Sequence, residues 1–243
     1  MESGSESSAL IERFSHLIER GADLPLDETA LVIAATLAPQ DRVDIRYNME
    51  LLDRLADSVP DASVTALSAT LFGNARVADS QSFVGNREDY YAATNSLLHR
   101  VLAERRGIPI TLSLLAIEVG RRCGLPLSGV GMPAHFIVGV TPDQGLVPET
   151  FIDPFNGGAV LDRVGCRNLF HRVVGAHQSF DSRFLAITPA LGIVERMLNN
   201  LKAIYTRQGD TLSLRKVMIL RSRLPGIGAA ESDERLRSMA PFN

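Results

Sequence analysis

RRGIPITLSLLAIEVGRRCGLPL, residues 105–127, decides how this chain folds. Gly107 can end a preceding helix. Pro109 suits the first turn of the next one, where its missing N–H forfeits no helical bond. The run that follows is apolar apart from Thr111, Ser113 and Glu118 until charge gathers near its end. A helix apolar on nearly every side belongs in the middle of a core. Gly124 and Pro126 terminate it, and the run is too short to span a bilayer.

Upstream, the first 73 residues read as helical. Leu10, Phe14, Leu17 and Ile18 recur at helical spacing up to Gly21. Asp27 is a candidate cap for a helix ending before Pro39, and two further helices are expected up to Phe72. Residues 72–98 are rich in Gly, Asn and Asp and read mostly as loop. Asn95 or Ser96 is a plausible cap for a helix running to Arg106. Downstream of Leu127 the character changes. SGVGMPAHFIVGV, residues 128–140, reads as strand, TPDQGLVPE as a turn, TFIDPF as a second strand and NGGAVLD as a turn with a third. A helix is expected from about Arg167, and a helical pair after Pro189 with its turn at 208–210. No second copy of that pair is present, so no repeat array is predicted.

The chain has 243 residues, 45 % of them hydrophobic and 22 % charged, which is ordinary globular composition. Its formal net charge is −3, so a basic surface for nucleic acid is not favoured. The opening residues lack a basic and apolar leader, and the expectation is a soluble, cytoplasmic protein without membrane association. Cys123 and Cys166 are the only cysteines, too few for a disulfide framework or a four-cysteine zinc site. The five histidines show no metal-ligand spacing, and no phosphate loop or dinucleotide fingerprint occurs. No cofactor and no metal are expected.

His135 and Asp153 are the most informative pair. A hairpin centred on residue 144 would set them opposite each other on one side of the sheet. Directly opposed residues have Cβ atoms about 4.5–5.5 Å apart. The carboxylate could then accept from imidazole Nδ1–H, leave Nε2 as a base and stabilise the imidazolium. A slip by one residue would separate them. The plain alternative is a structural histidine hydrogen-bonded to an aspartate.

Three stretches, 105–127, PAHFIVGV (133–140) and FIDPFNGG (151–158), resemble the transglutaminase-like superfamily, and specifically its bacterial SirB-type family. FVGNREDYYAATNSLLHRVL (83–102), LDETALVIA (26–34) and ERMLNNLKAIY (195–205) are similar to the same family. The resemblance implies an α+β fold. Its papain-like core would pack a central buried helix on a small antiparallel sheet, with an N-terminal helical region and a short C-terminal helical unit. The expected division is a loose tail at 1–8, helices at 9–73, the core at 74–187, a single tetratricopeptide-like hairpin at 188–225 and a tail at 226–243. In such enzymes a Cys opens the central helix, a His follows on a strand and an Asp lies on the next. His135 and Asp153 match the last two. Pro109 occupies the place of the nucleophile, so the covalent acyl-enzyme route is lost. Transglutamination and papain-like proteolysis are therefore not expected.

Thr111 and Ser113 are the nearest hydroxyls in sequence, and local backbone hydrogen bonds are their plainer role. Asn86, Tyr90, Asn95 and Ser96 belong to a polar, aromatic stretch that either lines a cleft or is simply solvated loop. Two functions fit this pattern. One is a cysteine-free enzyme whose His135–Asp153 pair moves protons in a hydrolysis, elimination or cyclisation of a small or peptide-like substrate. The other is a non-catalytic relative whose cleft binds a peptide or partner protein.

Overall fold

The computed structural model describes residues 2–73, 82–142, 144–145 and 147–226, excepting the side chains of residues 2–5. Helix α1 (Glu2–Glu19) buries Phe14, Leu17 and Ile18. Residues 2–8 of the expected loose start form its first turns. Helix α2 (Leu26–Leu37) is buried along almost its whole length. Its N-cap is Pro25, not Asp27, which lies inside the first turn and is 1 % exposed. Helices α3 (Ile45–Asp57) and α4 (Val64–Phe72) open on Asp44 and Ser63, whose side chains accept from the backbone N–H groups of Tyr47 and Ala66. Each cap satisfies an N–H that a helix start leaves unpaired.

Strand β1 (Val84–Gly85), helix α5 (Leu98–Glu104) and strand β2 (Arg106–Gly107) follow, with β1 and β2 paired in parallel. Neither Asn95 nor Ser96 caps α5. Leu97 stands at its start, and Arg105 ends it in the left-handed region at φ 56°. Gly107, expected as the stop, belongs to β2 instead. Helix α6 (Pro109–Arg122) is the central helix, buried from Pro109 to Gly120.

After α6 come β3 (Leu127–Val130), β4 (Ile137–Val140), β5 (Phe151–Asp153) and β6 (Ala159–Leu161), then α7 (Arg163–Val174) and β7 (Ile187–Thr188). Residues 128–140 are therefore two strands and not one. The turn at 131–136 breaks them apart, with His135 N–H donating to the Met132 carbonyl at 3.2 Å and Ala134 at φ 56°. The sheet is antiparallel throughout, in the order β6-β5-β4-β3-β7. Helices α8 (Ala190–Gln208) and α9 (Thr211–Arg221) complete the described chain, turning at Gly209 with φ 69°. The expected tail lies, from residue 227 on, outside the described residues, as do residues 74–81 of the expected loop.

Alternation along the strands sorts two apolar clusters, because successive side chains point to opposite faces. Phe136, Val138 and Ile152 join α6, α8 and the N-terminal helices. Val130, Ile137 and Phe151 join Cys166, Leu169 and Phe170 of α7. The middle of the sheet is thus buried on both faces, between α6 and α7, while the edge strand β6 is largely exposed. The larger cluster runs from Phe14 to Leu224. The segments read as an N-terminal region, a core and a C-terminal hairpin share it.

Ionic contacts reinforce the join between α2 and α6. Asp27 accepts from Arg122 at 2.7 Å and Arg121 at 3.2 Å, and Glu118 accepts from the same two arginines. Burial, with the Asp27 charge alongside, pushes the Glu118 carboxyl up to about 7. Burial opposes ionisation of Asp27 as well, but hydrogen bonds led by Arg122 hold its carboxyl below the usual value.

Candidate functional site

His135 precedes β4 at the turn, and Asp153 is the last residue of β5. The strands pair Val138 with Ile152 and Gly139 with Phe151. That register is centred one residue later than expected, so it shifts each pairing by two. A shift of two preserves side-chain parity. The pair therefore still meets, with His135 Nε2 2.9 Å from Asp153 Oδ1. The ring is turned the other way from expectation: Nε2, not Nδ1, faces the carboxylate. Nδ1 makes no hydrogen bond among the described residues. It is also absent from the sealed, partnerless atoms found there, Ser96 Oγ and His99 Nδ1, although the residue as a whole is buried.

Several contacts fix this geometry. Arg196, on α8, donates through Nη2 to the carbonyls of Met132 at 2.9 Å and His135 at 2.7 Å. The left-handed Ala134 lies between those anchored carbonyls. Asn156 donates to Asp153 Oδ2 and accepts from Arg87. Asp153 is 1 % exposed, with both oxygens engaged. Phe155 sets its ring edge-on to His135 and to Tyr90, with centroids 6.1 Å and 6.0 Å away. Gly85 lets Phe155 come this close, since a Cβ there would stand 2.6 Å from the Phe155 ring and carbonyl.

Two cavities adjoin His135. The outer one, about 840 Å³, is walled by Tyr90, Tyr91, Phe155, Arg87 and Arg172. The inner one, about 110 Å³, lies against Tyr90, Ile110, Phe136, Arg196 and Asn200. Pro109, Ala134 and His135 border both. Pro109 opens α6, so the amino end of the central helix faces the histidine. Burial, then neighbouring Tyr91, raises the Tyr90 phenol above its ordinary value, and Arg196 partly offsets this.

Of the residues expected at a cleft, Tyr90 lines these cavities. Asn86, Asn95, Ser96, Thr111 and Ser113 line neither. Asn86 donates to Asn95 at 3.0 Å, and Asn95 donates to the Asp89 carbonyl at 2.6 Å, so the two asparagines brace their own loop. Thr111 donates to the Asn95 carbonyl at 2.6 Å and Ser113 to that of Phe136 at 3.3 Å. Their hydroxyls serve the backbone, but of distant segments and not only the local turn. Most buried hydroxyls find such a partner, and with theirs engaged neither is free for a ligand.

Cys166 packs beneath the sheet on α7, where burial, then the charges of Asp153 and Asp162, push its thiol up to about 12. Burial also raises the Cys123 thiol, which donates to the Ala56 carbonyl at 3.7 Å. Neither environment favours a thiolate. No cluster of three or more His, Cys, Asp or Glu is placed to hold a metal ion among the described residues. No helix among them is long and apolar enough to cross a membrane.

Sequence reasoning missed Arg87, Arg172, Arg196 and the second histidine–aspartate contact, His99 Nε2 to Asp41 Oδ2 at 2.8 Å. Arg196 had a signal. It stands four residues before Asn200, on the same flank of a helix whose apolar side carries Ile193 and Met197.

Comparison with known proteins agrees with this architecture. Residues 37–199 match the family described as the Transglutaminase-like superfamily. A UPF0162 protein of Xylella fastidiosa is 33 % identical over 187 residues, covering 75 % of this chain and 65 % of that protein. This chain thus spans just under two thirds of that relative's length. A UPF0162 protein of Pseudomonas aeruginosa is 29 % identical over 212 residues, covering 86 % of this chain and 76 % of the other. F-box only protein 21 of Mus musculus is 35 % identical over 138 residues, covering 54 % of this chain and 21 % of that protein. No solved structure matches. With more than half of its length matched to one family, this chain belongs to the transglutaminase-like superfamily, and bacterial UPF0162 proteins are among its homologues.

Proposed function

We propose that the chain is an acid–base catalyst that uses no cysteine nucleophile and acts on a small or peptide-like substrate. The single observation that carries this reading is the 2.9 Å contact from His135 Nε2 to Asp153, in a ring that borders the cleft and whose Nδ1 makes no hydrogen bond among the described residues. Asp153 fixes the tautomer: Nε2 carries the proton, so Nδ1 carries the lone pair. A proton taken at Nδ1 makes an imidazolium that the Asp153 charge stabilises. Asn156, donating to the second oxygen, holds the carboxylate in position. Pro109 stands at the head of α6 where the superfamily's nucleophile would be, so the substrate is activated by proton transfer to water or to one of its own groups. No bond to the protein forms. Hydrolysis, elimination and cyclisation all suit such a base.

The test is complementation of a strain deleted for this chain, read as its metabolite profile. Wild type restores the profile. His135→Gln, which keeps a polar group of similar reach, folds with an unchanged circular dichroism spectrum and does not restore it. Full restoration by a folded His135→Gln protein would overturn the proposal.

A second reading rests on the same proline and on the burial of His135, 4 % exposed. A superfamily member without a nucleophile can use its cleft to hold a partner, and part of an F-box protein shares this sequence pattern. Under that reading His135→Gln restores the profile, while substitutions that fill the cleft do not.

A further inference from the structure

We propose that the cleft at His135 takes an anionic, carboxylate-bearing ligand of the acidic-peptide class. Arg196 would hold it within, and Arg87 and Arg172 at the mouth. The proposal rests on reading this cleft as the reaction site and goes on to name the charge class of what enters it.

The charge asymmetry is local. The chain as a whole carries a net charge of −3. Yet the residues lining the two cavities include three arginines and no aspartate or glutamate. Elsewhere arginines find carboxylates readily: Arg13 pairs with Glu28, Arg100 with Asp41 and Arg122 with Asp27. Arg87, Arg172 and Arg196 enter no such pair among the described residues. Asp153, the nearest carboxylate in the site, is sealed behind the imidazole and committed to His135 and Asn156.

Arg196 carries the argument furthest. Burial lowers its pKa, Tyr90 opposing this, and no carboxylate pairs with it among the described residues. Its two hydrogen bonds use Nη2 alone. A guanidinium offers five N–H donors, so its fork is only partly used. Nη1 lies 3.2 Å from where a Cβ on Gly131 would stand, and glycine there leaves it room. A ligand carboxylate in the inner cavity supplies the missing counter-ion and accepts from the unused donors, next to His135. That cavity, about 110 Å³, has space for such a group.

The mouth matches. The Arg87 guanidinium lies over the Phe155 ring at 4.9 Å and donates to Asn156. A charge bound there is one side chain removed from Asp153. Arg172 is exposed and makes no hydrogen bond or ion pair among the described residues. Tyr90, Tyr91 and Phe155 give the outer cavity aromatic walls, and its volume of about 840 Å³ admits a short peptide rather than a single small ion.

The experiment is isothermal titration calorimetry of the full chain with hexaglutamate and with hexaglutamine. Hexaglutamate should bind at least about tenfold tighter, with an advantage that shrinks as salt is raised. Arg172→Gln and Arg87→Gln should each weaken hexaglutamate about 3–10-fold and leave hexaglutamine unchanged. Arg196→Lys, which keeps the charge but loses the fork, should also weaken hexaglutamate. It guards against loss of folding in Arg196→Gln. Equal binding of the two peptides, or wild-type affinity in both Arg172→Gln and Arg196→Lys, overturns the proposal. So does inorganic phosphate displacing hexaglutamate at far lower concentration than acetate, which would assign the site to phosphorylated ligands. Only binding is read. A negative result removes the anionic class and leaves the His135 chemistry to its own complementation test.

Discussion

Two histidines in this protein each bond an aspartate through Nε2, and they differ in what the other nitrogen meets. His99 Nδ1 is sealed and has no partner, while Asp41 is shared with a bidentate Arg100. Burial lowers the His99 pKa, and Asp41 restores only part of the loss. A base that no proton donor can reach is a structural strut. His135 has the same bond, and both rings border cavities, but His135 Nδ1 is not among the sealed, partnerless atoms, and that difference is why the catalytic proposal attaches to it. Pro109 supplies a second prediction at this scale. Pro109→Cys places a thiol on the first turn of α6, facing the imidazole, where the helix end and an imidazolium both favour thiolate. Iodoacetamide should alkylate that variant at least about tenfold faster than wild type at pH 7. The two native thiols, with raised pKa values, should react slowly until the chain unfolds. Equal rates in variant and wild type would show that position 109 is not the seat of a reactive group.

Helix α6 is the element on which the rest is assembled, and its two ends do different work. The amino end meets the cleft, and the carboxyl end is tied to α2 through Glu118, Asp27 and two arginines. Glu118 sets a pH dependence whose sign can be worked out. Its folded pKa, about 7, is above the ordinary 4.5, so the folded state binds the proton more tightly than the unfolded chain. Stability is greatest below pH 4.5 as far as this group is concerned, and falls as pH rises toward 7. Asp27 works oppositely, adding stability above its ordinary 3.8 and losing it in acid. Glu118→Gln should flatten the decline between pH 5 and 8 and raise the melting temperature at pH 8. The gain corresponds to about 1–3 kcal/mol. Thermal melts across that range check it, and a variant no more stable at pH 8 would show that the arginines fully compensate the ionised carboxylate. This helix was legible in the sequence because a run between Gly107 and Gly124 that is apolar apart from Thr111, Ser113 and Glu118 until its charged end has one sensible position in a fold. The contact between His135 and Asp153 was legible for a weaker reason, parity, which survives a two-residue error in register. Ring orientation, the split of residues 128–140 into two strands and the arginines of the cleft were not legible. Each depends on a turn or on packing between segments far apart in sequence, and local spacing carries no record of either.

At the scale of the whole molecule, the C-terminal hairpin is part of the structure that holds the site. Val194, Met197, Leu198 and Leu201 of α8 and Val217 and Leu220 of α9 belong to the same apolar cluster as α2 and α6. A chain ending at residue 188 would leave that cluster open along one side. It should fail to unfold cooperatively in urea and should bind apolar dyes, which circular dichroism and fluorescence would detect. A soluble 1–188 fragment with a sharp transition would show that the core closes without α8 and α9. The bond from Arg196 to the His135 carbonyl spans 61 residues of sequence. During synthesis the turn bearing His135 therefore leaves the ribosome well before the arginine that secures it. At about 5–20 residues per second, the wait is roughly 3–12 s. For that interval the carbonyls of Met132 and His135 lack their guanidinium and the sheet lacks its α8 cover. The nascent chain is open to chaperones and to aggregation in that interval, and the site is completed only once Arg196 of α8 has been made.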